Sequence, residues 1–178
     1  PGGFLFNDQL DTFAPQPRSG WGIPSEWTGN YRQKGVTSLG VDFKLFHVDF
    51  SAEGRPLTVM LHFDGGTPDD FDDDYAAYIV GSENVPLVGE GWKSYDFEIP
   101  SQETSLPAGW KYLEFGPNSN PDWNEVIENV SQVVFFWGDP EFFFIFQMWH
   151  IGMDNPRIEF GGPSSVAPLK DFTVTLGS

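Results

Sequence analysis

The chain predicts an all-β fold, a two-sheet antiparallel β-sandwich of jelly-roll type with one short helix, and three observations lead there. Several short segments alternate apolar with polar residues at period two, the signature of strands with one face on a core. Gly (20) and Pro (15) cut the sequence into pieces that favour short strands and turns over long helices. Helical spacing is confined to one segment, near 122–130. At 178 residues and without Cys, the chain suits a single domain large enough to bury a core without disulfides.

Taken in order, the elements follow from local pattern. In "TSLGVDFKLFHVDF", Leu39, Val41, Phe43 and Leu45 alternate with Ser38, Asp42 and Lys44. "PLTVMLHF" puts Leu57, Val59, Leu61 and Phe63 on one face, and the intervening "SAEGRP" makes a hairpin of the pair. "YAAYIV" and "KSYDFEIP" read as further strands. In "NPDWNEVIENVSQ", Pro121 lies near the start of a helix whose Trp123, Val126, Ile127 and Val130 share one side. "QVVFFW" and "FFFIFQMWHIGM" read as two strands turned at "GDPE". "DNPRI" reads as a loop leading into a last body strand, "PRIEF". The sandwich body is expected over 4–160, a Gly/Pro/Ser-rich spacer over 161–168, and a terminal strand over 169–178 with Phe172, Val174 and Leu176 on one row.

Charge and composition exclude several classes. Nine Lys plus Arg against 26 Asp plus Glu give a net charge of -17, which repels nucleic acid and anionic lipid. The aromatic stretch from Phe135 to Ile158 is interrupted by Gly138, Asp139, Pro140 and Glu141, so it does not supply the roughly 20 apolar residues of a spanning helix. The opening "PGGFLF" has neither initiator Met nor signal-like segment, and a mature secreted protein is the expectation.

The phrases "PSEWTGNY", "LGVDFKL", "GWKSYDFEIP", "PAGW", "PDWNEVIENVSQVVFFWG" and "GMDNPRI", in that order between Phe13 and Ile158, resemble the laminin B (laminin domain IV) superfamily of bacterial secreted proteins. "YRQKGVTS" stands where typical members carry a "YGG"-like segment. The resemblance implies a non-catalytic sandwich, similar in shape to carbohydrate-binding modules, that binds extracellular glycans or assembles matrix.

Two acidic groups are candidate Ca2+ sites. Asp64, Asp69, Asp70, Asp72, Asp73 and Asp74 crowd one Gly/Pro-containing loop, where hard oxygen ligands suit calcium and a solvated acidic loop is the alternative. Jelly-roll binding modules often tie first and last strands together with a structural calcium. The resemblance puts Asp154 in that position, with Asp8 or Asp11 as partners, against a plain Asx-turn at Asp154–Asn155.

Aromatic rings are the candidate sugar contacts, because the C–H face of a pyranose stacks on them. Trp21, Trp27 and Tyr31 lie in a turn-rich stretch. Trp137 and Trp149, with Gln147 between aromatics, would form a platform unless that strand is buried on both sides. Trp92, Trp110 and Trp123 read as structural. A metal site shared by His47, His62 and His150 would require a bulge. No nucleophile elbow, phosphate loop or zinc-protease motif is visible. The expectation is a calcium-stabilised extracellular module that binds polysaccharide without cleaving it. Its rivals are a structural or adhesive subunit that self-assembles by terminal-strand pairing, and a polysaccharide-active enzyme on the same fold.

Overall fold

Alternation along the longest early strand decides which side of the first sheet is core. In a computed structural model describing residues 3–20, 25–67 and 69–161, β2 (Val36–Val48) buries Leu39, Val41, Phe43 and Leu45 and turns Ser38, Asp42, Lys44 and Phe46 outward. β1 (Leu5–Thr12), β5 (Lys93–Glu98) and β8 (Gln147–Phe160) complete this sheet in the order β1-β8-β2-β5. The second sheet runs β6-β4-β3-β7, from β3 (Pro56–Phe63), β4 (Tyr75–Asn84), β6 (Lys111–Glu114) and β7 (Gln132–Trp137). Every pairing within the two sheets is antiparallel. The fold is the expected all-β two-sheet sandwich.

The two inner faces close on each other through large rings. Phe43 meets Trp137 edge to face at 5.3 Å, and Trp137 meets Trp149 at 6.0 Å. Leu57, Val59, Leu61 and Phe135 fill the space between, each side chain contributing about 1.5–3 kcal/mol by leaving water. The helix α2 (Trp123–Glu128) lies within the expected span. Asp122 caps it by accepting from the Asn124 and Glu125 amides, and Trp123, Val126 and Ile127 are buried. A shorter turn of helix, α1 (Tyr31–Lys34), was not visible in the sequence. Arg32 ties it to α2 by pairing with Glu128 and donating to Asn124 Oδ1 at 2.8 Å.

The edge of β7 is covered. Its Trp137 and Phe135 amides donate to the Pro15 and Pro17 carbonyls at 3.0 and 2.8 Å, and Ser19 N donates to Val133 O at 2.9 Å. A Pro-containing strip thus closes an edge that would otherwise template pairing.

Three strand expectations are corrected. The β2–β3 hairpin does not form: β2 pairs with β5 and β8 and β3 with β4 and β7, so "SAEGRP" carries the chain from one sheet to the other. β8 begins at Gln147, and Phe142–Phe146 form a loop, because the turn closed by Phe142 N donating to Asp139 O redirects the chain. Buried Gln147 fixes the strand's start: its Oε1 accepts from Phe50 N at 3.1 Å and its Nε2 donates to Ser51 O at 3.2 Å. "PRIEF" is not separate. β8 runs through Asp154–Asn155 with Asn155 at φ 48 and a bulge against Gly40–Asp42. The terminal strand expected over 169–178, its spacer beyond Gly161, and Trp21 lie outside the described residues.

Candidate ligand-binding face

The outward row of β2 is one lane of a track across the first sheet. Register places Ser38 opposite Glu98 and Glu159, Gly40 opposite Asp96 and Arg157, Asp42 opposite Ser94 and Asp154, and Lys44 opposite Gly152. From Ser38 to Phe46 the lane spans ~26 Å at the usual strand rise. It is polar at one end and aromatic at the other.

The polar end is an open groove of about 780 Å³, with Ser38, Ser94, Asp96, Asn155, Arg157 and Glu159 among its walls. Arg157 organises it. Its Nη1 donates to Asp42 Oδ1 at 2.8 Å, and its Nη2 to Asp96 Oδ1 at 3.0 Å and the Tyr95 carbonyl at 3.1 Å. Partial burial works against the charge on Asp42. Hydrogen bonds from Arg157, Ser94 and Asn155 outweigh it and hold the carboxyl below its usual range. Gly40 makes the arrangement fit, because a Cβ there would run into the Asp96 carboxylate and the Arg157 guanidinium.

At the aromatic end, Phe4 stacks on Phe46 at 5.8 Å and meets Trp92 edge-on at 5.1 Å, while Phe6 meets Phe46 at 5.1 Å. Lys44 Nζ lies 4.6 Å from the Phe46 ring centre. Gly152 is the floor: a Cβ at that position would stand 2.9 Å from both Phe46 and Trp92. Phe4, Phe6 and Trp92 remain 46%, 51% and 41% exposed.

The expected platform of Trp137, Gln147 and Trp149 is corrected. Both indoles are 0% exposed between the sheets, and Gln147 spends its amide on Phe50 and Ser51, so none presents a surface to a sugar. Trp27 and Tyr31 are also buried, the Tyr31 hydroxyl donating to Trp27 O at 2.8 Å, so packing in α1 takes these rings too. Trp110 and Trp123 are structural as expected, 5.1 Å apart, whereas Trp92 is not. Its signal lay in the sequence: Trp92 shares parity with Ser94, Asp96 and Glu98, while Tyr95 and Phe97 take the core positions. Phe46 likewise shares parity with Asp42 and Lys44.

The acidic candidates separate into two places. β1 does lie beside β8, but register pairs Leu5 with Met153 and Asp11 with Met148, so Asp8 and Asp11 sit well along the strand from Asp154, which faces Asp42. Neither Asp8 nor Asp11 is therefore placed to meet Asp154. The bulge before His47 brings the His47 and His150 rings within 4.9 Å, while His62 lies on the other sheet, stacked on Phe115. Among the described residues, no three His, Asp or Glu side chains converge as placed on a metal position.

The 64–74 loop closes β3 onto β4. Asp64 Oδ1 accepts from Gly66 N, Asp70 Oδ1 from Asp72 N, and Asp73 Oδ1 from Thr67 Oγ1. Its other acidic members, Asp69 and Asp72, are exposed. Asp74 differs: it is 3% exposed, and its Oδ1 is buried without a hydrogen-bond partner.

No helix among the described residues is long and apolar enough to cross a membrane. A scan of family models, a search of curated proteins and a search of solved structures each give no match to this chain.

Proposed function

We propose that the chain is a secreted, non-catalytic carbohydrate-binding sandwich whose polysaccharide ligand lies along the outer track of the first sheet. The observation that carries this reading is the cluster of exposed Phe4, Phe6 and Trp92 with half-buried Phe46 over Gly152, on the same outer face as the groove around Arg157. Aromatic faces suit the C–H surface of a sugar ring, and the carboxylates, amide and hydroxyls of the groove suit its hydroxyls. The lining carries Asp96, Glu98 and Glu159 against one Arg, so the ligand class is neutral rather than uronic or sulfated glycan. The laminin B-like order of phrases in the sequence agrees with a glycan-binding role.

Affinity electrophoresis in gels containing neutral polysaccharides, with alginate and heparin as anionic controls, tests the reading. Retention by a neutral glycan that Trp92→Ala and Phe46→Ala abolish supports it. Equal retention of wild type and variants, or none on any glycan, rejects it.

A second reading, a structural or adhesive subunit, draws on a different surface. Phe142, Phe143, Ile145 and Phe146 are exposed on the loop before β8, and Phe13 packs on Phe143 and Phe146 at 5.7 and 5.2 Å. Exposed apolar patches of this kind mark contact sites. Light scattering of wild type and Phe143→Ser separates an assembly from a monomer.

A further inference from the structure

Six aspartates occupy Asp64–Asp74, and none of them forms an ion pair among the described residues. Most have a solvated or turn-forming role. Asp74 has neither, since its Oδ1 is enclosed and unpartnered. The β3–β4 ladder ends at Phe63 opposite Tyr75, so Asp64 and Asp74 lie one step further on, facing each other across the hairpin mouth. Like charges placed there destabilise the pair unless something positive joins them. Burial first, then Asp64, Asp73 and Asp70 in that order, push the Asp74 carboxyl up to about 6.

The backbone of Asp74 is fixed on both sides. Its carbonyl accepts from Phe115 N at 3.1 Å and from Ser119 Oγ at 2.6 Å, and its amide donates to Phe71 O at 3.4 Å. The Asp74 Oδ1 is enclosed in this arrangement, so a partner for that oxygen has to reach it inside the hairpin mouth.

We propose that the hairpin mouth binds a hard divalent cation of the calcium type, with Asp74 as its innermost ligand and Asp64 and Asp70 closing over it. Asp64 is half-buried and Asp70 exposed, and each gives only its Oδ1 to a turn amide, which leaves Oδ2 of each for an ion that Asp74 has already fixed. Carboxylate oxygens supplied by a short turn-rich loop match the ligand preference of calcium, and loop carbonyls and water complete its larger coordination number. Gly65 leaves room for the Asp73 carboxylate against its own backbone, where a side chain would clash. The site is on the second sheet, apart from the glycan track on the first, and stands or falls independently of it.

The probes are calcium chloride, followed by thermal unfolding, and terbium chloride, followed by luminescence sensitised through Tyr75. Wild type should show saturable terbium emission that calcium displaces, and a melting temperature that rises with calcium. Asp74→Asn should bind calcium about tenfold or more weakly, yet match or exceed wild-type stability in chelator, because it removes a buried charge. Asp154→Asn should bind as wild type. A calcium-indifferent melting temperature, or an Asp74→Asn protein that binds as well as wild type, overturns the site. So does stability that responds to acid but not to calcium, which would assign the buried oxygen to a proton. Glycan retention measured in chelator keeps the two functions distinguishable.

Discussion

Two sets of aromatic rings lie on opposite faces of the first sheet and meet opposite fates. Trp149 on β8 and its partner Trp137 on β7 are sealed between the sheets, whereas Phe46 and Trp92 lie on the outside of the strands that carry the same core. Residue type does not distinguish them. Parity along the strand does, and so does a glycine: Gly152 leaves the space that Phe46 and Trp92 occupy over the outer face of β8. An aromatic-rich sequence is thus two statements, one about packing and one about a surface.

The sharpest way to break the comparison is to truncate one ring of each set. Trp137→Ala should cost about 3–5 kcal/mol in urea unfolding, because it leaves a cavity against Phe43 and Trp149. Trp92→Ala should change stability by less than about 1 kcal/mol and lower affinity for a neutral glycan several-fold, measured by calorimetry. If Trp92→Ala unfolded the protein as Trp137→Ala does, the division into core and surface rings would be wrong.

Acid should separate the two sheets more gently. His62 on β3, stacked on Phe115, is kept neutral by removal from water, with Arg18 adding to the effect, and its pKa is pushed down to about 3. The unfolded chain takes up this proton near 6.5, so below that pH unfolding binds a proton that the native state refuses. Stability from this group is therefore present above 6.5 and lost as pH falls toward 3. His62→Gln should flatten that part of the acid slope in melting-temperature scans. An unchanged slope would show that another group carries it.

The smallest stability effect should come from Gly152→Ala. Its new methyl meets the Phe46 and Trp92 rings at 2.9 Å and the Phe4 ring at 3.2 Å, side chains of a partly exposed cluster that can tilt outward. Binding should still fall, because tilting changes the arrangement of Phe4, Phe46 and Trp92 that the ligand would meet. Retained affinity would mean the sugar contacts lie elsewhere on the track.

The row of β2 was legible because that strand is half-exposed, so alternation names its inner residues directly; β3 is buried on both faces, and its row was legible because polar Thr58 and His62 interleave with Leu57, Val59, Leu61 and Phe63. α2 was legible through its apolar spacing, and its Asp122 cap agrees. The loop Phe142–Phe146 was not legible, since period two in a uniformly apolar run fits either face and does not reveal that the turn after Asp139 never re-enters the sheet. Phe4 and Phe6 were missed for a different reason: "FNDQLD" alternates poorly, and β1 gains its place by pairing with β8 far along the chain. Asp74 was visible as one of six aspartates, but only burial sets it apart from the solvated ones.

The strip from Pro15 to Ser19 that covers β7 has a consequence for the order of assembly. β1 waits for β8, and the strip waits for Val133, Phe135 and Trp137, so the early part of the chain has no strand to pair with until more than a hundred further residues exist. Such non-local closure slows folding into the millisecond-to-second range. A ribosome-bound chain ending before β7 therefore exposes the β3 edge together with the Leu57, Val59 and Leu61 row, and holdase chaperones should engage it there.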